Sequence, residues 1–441
     1  MKPISAKEFI IAGAAGFLVG LRLLGPGFGF VYLAAAGVCM YFAFKDDLYR
    51  LFTVLPYVVY TEVFIHGAAG VSYVPYLFME YFLMALFVIM LLRKGGEMKL
   101  HSRCAFPLFL YAIIETLDMI RTEDVTYARN MLTFTYLLLV CSLWASATIF
   151  NARVREQVIK HVLLAGVYIA GNILVAHFTH NITYSLVSSS EATNRMAPVQ
   201  ISAYLGVSCS MLFLYIMNDE NKKQFTLNVI VFTIILGLMV LTFSRGGLYF
   251  LSSVIALYIL FNFKQIGKMA VFLLFVPIGY MIYYYAMSAT DGKIEARYVE
   301  KGNSGRTELV EAGFQLLADE PLVGVGTGNY GKEIVDRDLY GSESGAHNEF
   351  VRAAAEHGIL GIFCYWGFYI IIGIEFIMRR KRERDFSLYI LLLFCLIIVH
   401  NGLKIGLQPF ILAIALATPT LVKSTRKKHA AFPIRNTLPA S

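Results

Sequence analysis

His347 and three arginines, Arg195, Arg245 and Arg306, are the side chains of this chain whose type and setting best suit chemistry. His347 stands in Ala346-His347-Asn348-Glu349, after the flexible run Gly341-Ser342-Glu343-Ser344-Gly345 and just before a helical pattern. A neutral imidazole can take a proton from a hydroxyl nucleophile near neutral pH. A lone histidine is more often a surface or capping residue; the polar, glycine-rich neighbourhood tips the reading towards catalysis. Guanidinium forks bind phosphate oxygens in pairs and keep their charge. Arg245 lies in Ser244-Arg245-Gly246-Gly247, Arg195 opens an apolar stretch after the Ser/Thr-rich 183–193 segment, and Arg306 opens an amphipathic one. Three of them facing one cavity suit a diphosphate group. The plain alternative is a long cation snorkelling to a lipid–water boundary, which is the reading adopted for Arg22 and Arg129. The two glycines after Arg245 are read as room for a ligand to approach the backbone.

The elements that position these residues are membrane helices. With 441 residues, 58% of them hydrophobic and only 15% charged, the chain does not have the composition of a soluble globule. Fourteen apolar stretches, each long enough or nearly so for a hydrocarbon core of about 30 Å, are expected near 7–23, 28–44, 49–66, 74–92, 104–120, 129–149, 158–178, 197–217, 225–243, 246–263, 269–286, 354–376, 387–401 and 404–422. The fold class expected is all-α and polytopic, with about 12–14 spans. The domain reading is membrane helices over 1–286, one large extracytoplasmic loop over 287–352, further helices over 353–424 and a basic cytoplasmic tail over 425–441. Most of the 38 Lys and Arg residues fall in alternate loops and at the two termini, which sets that side as cytoplasmic. The net charge of +8 is then topogenic excess, so no nucleic-acid partner is expected.

The 287–352 loop interrupts the hydrophobicity, and long loops of this kind are commonly functional. Within it, Arg306 to Ala318 reads as an amphipathic helix, with Ser304 as cap and Glu320-Pro321 as terminator. A second helix is expected to begin near His347 and run into the next span, with Gly358 and Gly361 allowing close packing. Gly324, Gly326 and Gly328, in Gly324-Val325-Gly326-Thr327-Gly328, resemble a dinucleotide fingerprint only superficially, because no strand precedes them. They are read as shaping a pocket. Acidic groups in apolar stretches (Glu62, Glu80, Glu115, Asp118, Glu375) are costly in lipid and count as functional candidates; Glu115 and Asp118 are alternatively partners of Arg121 or Arg129. The six cysteines lie in or beside spans, with no spacing that indicates a disulfide framework or a metal, and no cofactor is expected. The first 150 residues hold no assignable motif.

In this order, Ser244-Arg245-Gly246-Gly247, Gly305-Arg306, Pro321-Leu322-Val323-Gly324-Val325-Gly326 with Gly328-Asn329-Tyr330, His347-Asn348-Glu349-Phe350, and Glu356-His357-Gly358-Ile359-Leu360-Gly361 resemble the O-antigen ligase and Wzy-type polysaccharide polymerase family. The resemblance covers roughly the second half of the chain. It implies a metal-independent glycosyltransferase of the bacterial inner membrane that uses an undecaprenyl-pyrophosphate-linked glycan as donor. Arg245 and Arg195 would hold the pyrophosphate with Arg306 assisting, and His347 would act on the acceptor hydroxyl. The acceptor would be another lipid-linked glycan for a polymerase, the favoured reading, or lipid A-core for a ligase, with membrane lipids and a chain-length regulator as further partners. Where the family often shows Arg, Gly, then Pro-Asn, this chain has Arg195-Met196-Ala197-Pro198-Val199-Gln200. A lipid-linked glycan transporter is the alternative of another class, but no internal repeat is visible and the polar candidates gather on one face.

Overall fold

The computed structural model describes residues 3–67, 69–94, 105–179, 182–184, 188–218, 224–299, 305–379, 386–401 and 405–419. The chain is an all-α polytopic membrane protein, and each of the fourteen expected apolar stretches coincides with one or more helices. The N-terminal run comprises α1 (Ala6–Gly20), α2 (Phe28–Phe44), α3 (Leu48–Gly67), α4 (Phe78–Lys94), α5 (Ala105–Asp118), α6 (Val125–Ser146) and α7 (Ala152–Thr179). It continues through α8 (Pro198–Asn218), α9 (Phe225–Leu241), α10 (Gly246–Asn262), α11 (Ile266–Leu273) and α12 (Phe275–Ala289). The polar segment holds α13 (Lys293–Val299), α14 (Arg306–Asp319), α15 (Tyr330–Asp336) and most of α16 (Glu349–Gly361). The chain then returns to the apolar core as α17 (Gly367–Arg379), α18 (Phe386–Asn401) and α19 (Leu407–Leu416). Six of the described helices are long and apolar enough to cross a membrane, and four more are apolar but shorter. The expected tail over 425–441, Ser304 and the side chain of Glu375 lie outside the described residues.

Small residues set the closest seams. A Cβ on Gly16 would lie 1.8 Å from the Tyr168 carbonyl oxygen and one on Gly171 would lie 2.1 Å from that of Gly13, so α1 and α7 meet backbone to backbone. At the α8–α10 seam, a Cβ on Gly247 would fall 2.3 Å from the Ser202 carbonyl oxygen. Ser202 Oγ also accepts from the Gly247 amide at 3.0 Å and donates to the Ser244 carbonyl at 3.1 Å. Further along both helices Tyr258 donates to the Met217 carbonyl, so α8 and α10 run parallel and start at the same end of the bundle. Gly247 therefore serves helix packing, where the sequence had suggested room for a ligand.

The polar segment folds on a small core of its own, in which Leu309, Ala312, Leu316, Tyr330, Ile334 and Val351 pack together. The helix expected over Arg306–Ala318 is α14, and it ends one residue later. The helix expected to run from near His347 into the next span is instead broken. Gly358 has φ 56 and ψ −142, outside the helical region, and Ile362–Trp366 is a π-helical turn before α17. A side chain at Gly358 would meet Pro321 and Leu322 backbone within 2.8 Å, so close packing forces the break.

Candidate functional site

Arg245 occupies the N-cap position of α10. Its approach from α9 turns at Phe243, which is fully buried, has φ 58 and stacks on Tyr184 with ring centroids 5.1 Å apart. Phe243, Leu241, Ala286 and Ile294 form a second small core that fixes α13 against the ends of α9 and α12. This core brings up a residue that sequence reading missed. Arg245 Nη2 donates to the Arg297 carbonyl at 2.8 Å, and its guanidinium lies 5.6 Å from the centre of the Tyr298 ring. Arg306 at the start of α14 joins them. Burial, then the charges of Arg245 and Arg297, lower its ionisation from the ordinary value, opposed by Tyr249. Arg297 is lowered in the same way, by burial and then by Arg245. Arg297 Nε and Tyr298 Oη are buried with no hydrogen-bond partner among the described residues. Arg245 and Arg297 thus meet at the N-terminus of α10, and Arg306, at the N-terminus of α14, is near enough to feel both charges, a setting that favours an anion. The only sequence signal for Arg297 was its position in a polar segment, which is too general to single it out.

His347 lies at the same end of the cap as Arg306. A Cβ on Gly313 of α14 would lie 2.3 Å from Val351 of α16, and farther along Ile359 N donates to the Pro321 carbonyl at 2.8 Å. The two helices therefore run parallel, and both begin at one end. Asn348 caps α16 by accepting from the amides of Phe350 at 3.0 Å and Val351 at 3.4 Å. Ala346 is buried in the cap core while His347 is exposed, with φ 49. A left-handed backbone is uncommon for a side-chain-bearing residue, and such strain gathers at functional sites.

Gly324, Gly326 and Gly328 have φ of 63, 94 and 80. Their turn does two jobs at once. Val325 N and Gly326 N donate to the Ala355 and Glu356 carbonyls at 3.0 and 2.9 Å, satisfying oxygens that the break at Gly358 leaves without helical partners. On its other side the turn docks into the connection between α5 and α6. Arg121 Nη2 donates to the Gly324 carbonyl at 2.7 Å, Thr122 Oγ1 to the Thr327 carbonyl at 2.5 Å, and Asn329 Nδ2 to the Arg121 carbonyl at 2.9 Å. A Cβ on Gly324 would sit 2.4 Å from the Glu356 carbonyl carbon. Gly324→Ala should therefore cost about 1–3 kcal/mol by overpacking, read as earlier thermal unfolding of the detergent-solubilised protein; an unchanged melt would mean that the turn is not held this tightly.

Glu115 and Asp118 are both paired; Asp118 meets Arg121, one of the partners the sequence offered, while Arg352 and His357 were not foreseen. Arg352 of α16 donates from Nε to Glu349 at 2.7 Å, from Nη1 to Glu356 at 2.6 Å, and from Nη1 and Nη2 to Glu115 at 3.1 Å. His357 Nδ1 lies 2.8 Å from Asp118 Oδ2, and Asp118 also meets Arg121 at 3.5 Å. Glu115, Glu356 and His357 bring potential metal-ligating atoms within 4.8 Å of one another. Arg352 already stands between the two glutamates and supplies the positive charge there. The network ties the cap to α5. Glu62 is likewise engaged, accepting from the Gly406 amide at 3.0 Å and from Tyr204 Oη at 3.2 Å.

Arg195 starts the approach to α8, on the same end as Arg245, and follows Asn194, which Arg22 grips. Arg22 is not merely snorkelling. Its Nη2 donates to Asn194 at 2.7 Å (Oδ1) and 2.9 Å (carbonyl). Asn194 in turn donates to the Gly20 and Asn172 carbonyls at 3.1 and 3.2 Å.

Residues 230–366 match the family model described as O-antigen ligase. The match supports placing the chain in the O-antigen ligase and Wzy-type family and supports a glycan-joining function of ligase or polymerase type. Together with the apolar helices it fits a multi-pass inner-membrane protein. The matched segment contains Arg245, Arg297, Arg306 and His347, while Arg22, Arg121 and Arg195 lie outside it. No curated protein and no solved structure matches the chain.

Proposed function

We propose, with the O-antigen ligase family match as premise, that this protein is a polysaccharide polymerase joining undecaprenyl-pyrophosphate-linked glycans on the outer face of the bacterial cytoplasmic membrane. The observation that carries the reading is the convergence of Arg245, Arg297 and Arg306 beside two helix N-termini. Such a site suits a diphosphate that becomes more negative as it departs. The acceptor hydroxyl oxygen attacks the anomeric carbon of the donor sugar, a new carbon–oxygen bond forms, and the bond from that carbon to the phosphate oxygen breaks. Undecaprenyl diphosphate leaves with the bonding electrons, and the hydroxyl proton passes to His347. Prepositioned charge at the leaving group lowers the barrier without reorganisation at the moment of reaction.

The test is reconstitution of the purified protein with a lipid-diphosphate-linked repeat unit and no other acceptor. A glycan ladder is expected, and His347→Ala should slow its formation about 10²–10⁴-fold, the usual span for a general base. Product formed only after lipid A-core is added would make the protein a ligase. Absence of product with either acceptor, from correctly folded protein, would sink the transferase reading and favour transport.

A further inference from the structure

We infer that Arg22 and Arg195 head a second lipid-diphosphate site, which takes the acceptor substrate while Arg245, Arg297 and Arg306 hold the donor. This rests on the polymerase reading and deepens it, because a polymerase handles two lipid-linked glycans at once. Beneath Arg22, between the facing ends of α1, α2 and α3, is a cavity of about 240 Å³ lined by Leu18, Val19, Leu23, Phe28 and Phe64. Among the described residues, Arg22 is the only charged side chain in its wall. An amphiphile with an apolar chain and an anionic head fits this division, the chain in the cavity and the head at the guanidinium.

Two further observations bear on the head. Arg22 Nε is buried and has no hydrogen-bond partner among the described residues, although Asn194 engages Nη2. Arg195, exposed and next in sequence to the Asn194 that Arg22 grips, adds a second charge. Two like charges held together gain from a dianionic group between them. Their closeness is built in: Arg22, Asn194 and Arg195 all have left-handed backbones, with φ of 58, 54 and 63. The Arg195 amide is tied to the Ser190 carbonyl at 2.6 Å.

The site also lies where an acceptor must be. Arg195 precedes Pro198, the first residue of α8, and Ser202, about 6 Å farther along that helix, grips Ser244 and Gly247 on either side of Arg245. The two cationic groups therefore flank one helix at one end of the bundle. Sequence reading placed Arg195 with Arg245 on a single diphosphate; the geometry points to two.

The experiment is native mass spectrometry of the full chain in phosphatidylcholine nanodiscs titrated with undecaprenyl diphosphate. Wild-type protein should bind two molecules. Arg195→Gln, and independently Leu18→Trp, which fills the cavity while leaving the Arg22 charge in place, should each weaken one of the two by roughly tenfold or more. Arg297→Ala should weaken the other. If the wild type binds one molecule and neither Arg195→Gln nor Leu18→Trp changes that, the second site does not exist, while the donor site stands. If the wild type binds none, the donor reading itself fails. If phosphatidylglycerol displaces the second molecule as readily as added undecaprenyl diphosphate does, the pocket is a general anionic-lipid site and the inference is overturned.

Discussion

Arg352→Met should destabilise the protein by about 3–5 kcal/mol, the usual cost of removing one partner from a buried ion pair. Arg352 is 4% exposed, its partners Glu115 and Glu356 are 0% exposed, and Glu349 is 6% exposed. Methionine keeps most of the aliphatic stem, so the loss reports mainly charge and hydrogen bonding. Three carboxylates would then share a dry seam with only His357 nearby, and proton uptake or solvent entry would have to relieve them. The seam is where the cap meets α5, so the first consequence should be release of the cap. Thermal unfolding of the detergent-solubilised variant, with limited proteolysis across 305–350, measures both effects. A melt within about 0.5 kcal/mol of wild type, the range of ordinary surface substitutions, would show that the network is not what holds the cap down.

Arg297→Ala should lower the rate of glycan joining about 10²–10³-fold, the scale seen when one preorganised donor to developing charge is deleted, while leaving the melt nearly unchanged. The structure makes this variant informative because Arg245 is held by the carbonyl of residue 297, not by its side chain. Alanine keeps that carbonyl. Arg245 stays where it is, the apolar contacts of Ile294 persist, and only the guanidinium disappears. A purely structural role for Arg297 would instead show as lower stability with little loss of rate in the protein that remains folded. Rescue of the rate by Arg297→Lys, in part, is expected from restored charge without the bidentate fork.

The helices were legible because each apolar stretch was long and its flanks polar; even α14 was recovered to within one residue, since its stripe and Pro321 mark both ends. Arg245, Arg306 and His347 stood out because each sits in or beside a glycine-bearing run at the edge of a helical pattern. What escaped reading is everything that depends on the meeting of distant segments. Arg297 gains meaning only when α13 is folded under the α9–α10 turn. Arg22 looked like an interfacial cation until Asn194, far along the chain, was seen to accept from it. Glu115 and Asp118 were expected to find partners on their own helix or the next, and most of their partners come from α16. Gly358 was read as a packing glycine inside a helix, and it does pack tightly on Pro321 and Leu322, but its positive φ also kinks the helix there, which residue type alone does not reveal.

The connection between α5 and α6 received no assignment from sequence, yet it grips the glycine turn through Arg121, Thr122 and Glu123. This has a consequence for inheritance. The segment that matches the family model, 230–366, is not a portable cassette, because the socket it plugs into is encoded more than a hundred residues earlier. A substitution in the turn is accepted or rejected by the socket, so the two stretches are expected to change as a pair. Grafting another protein's loop onto this scaffold would then require moving 115–128 with it, a second patch that no comparison of the matched segment alone would bring to notice.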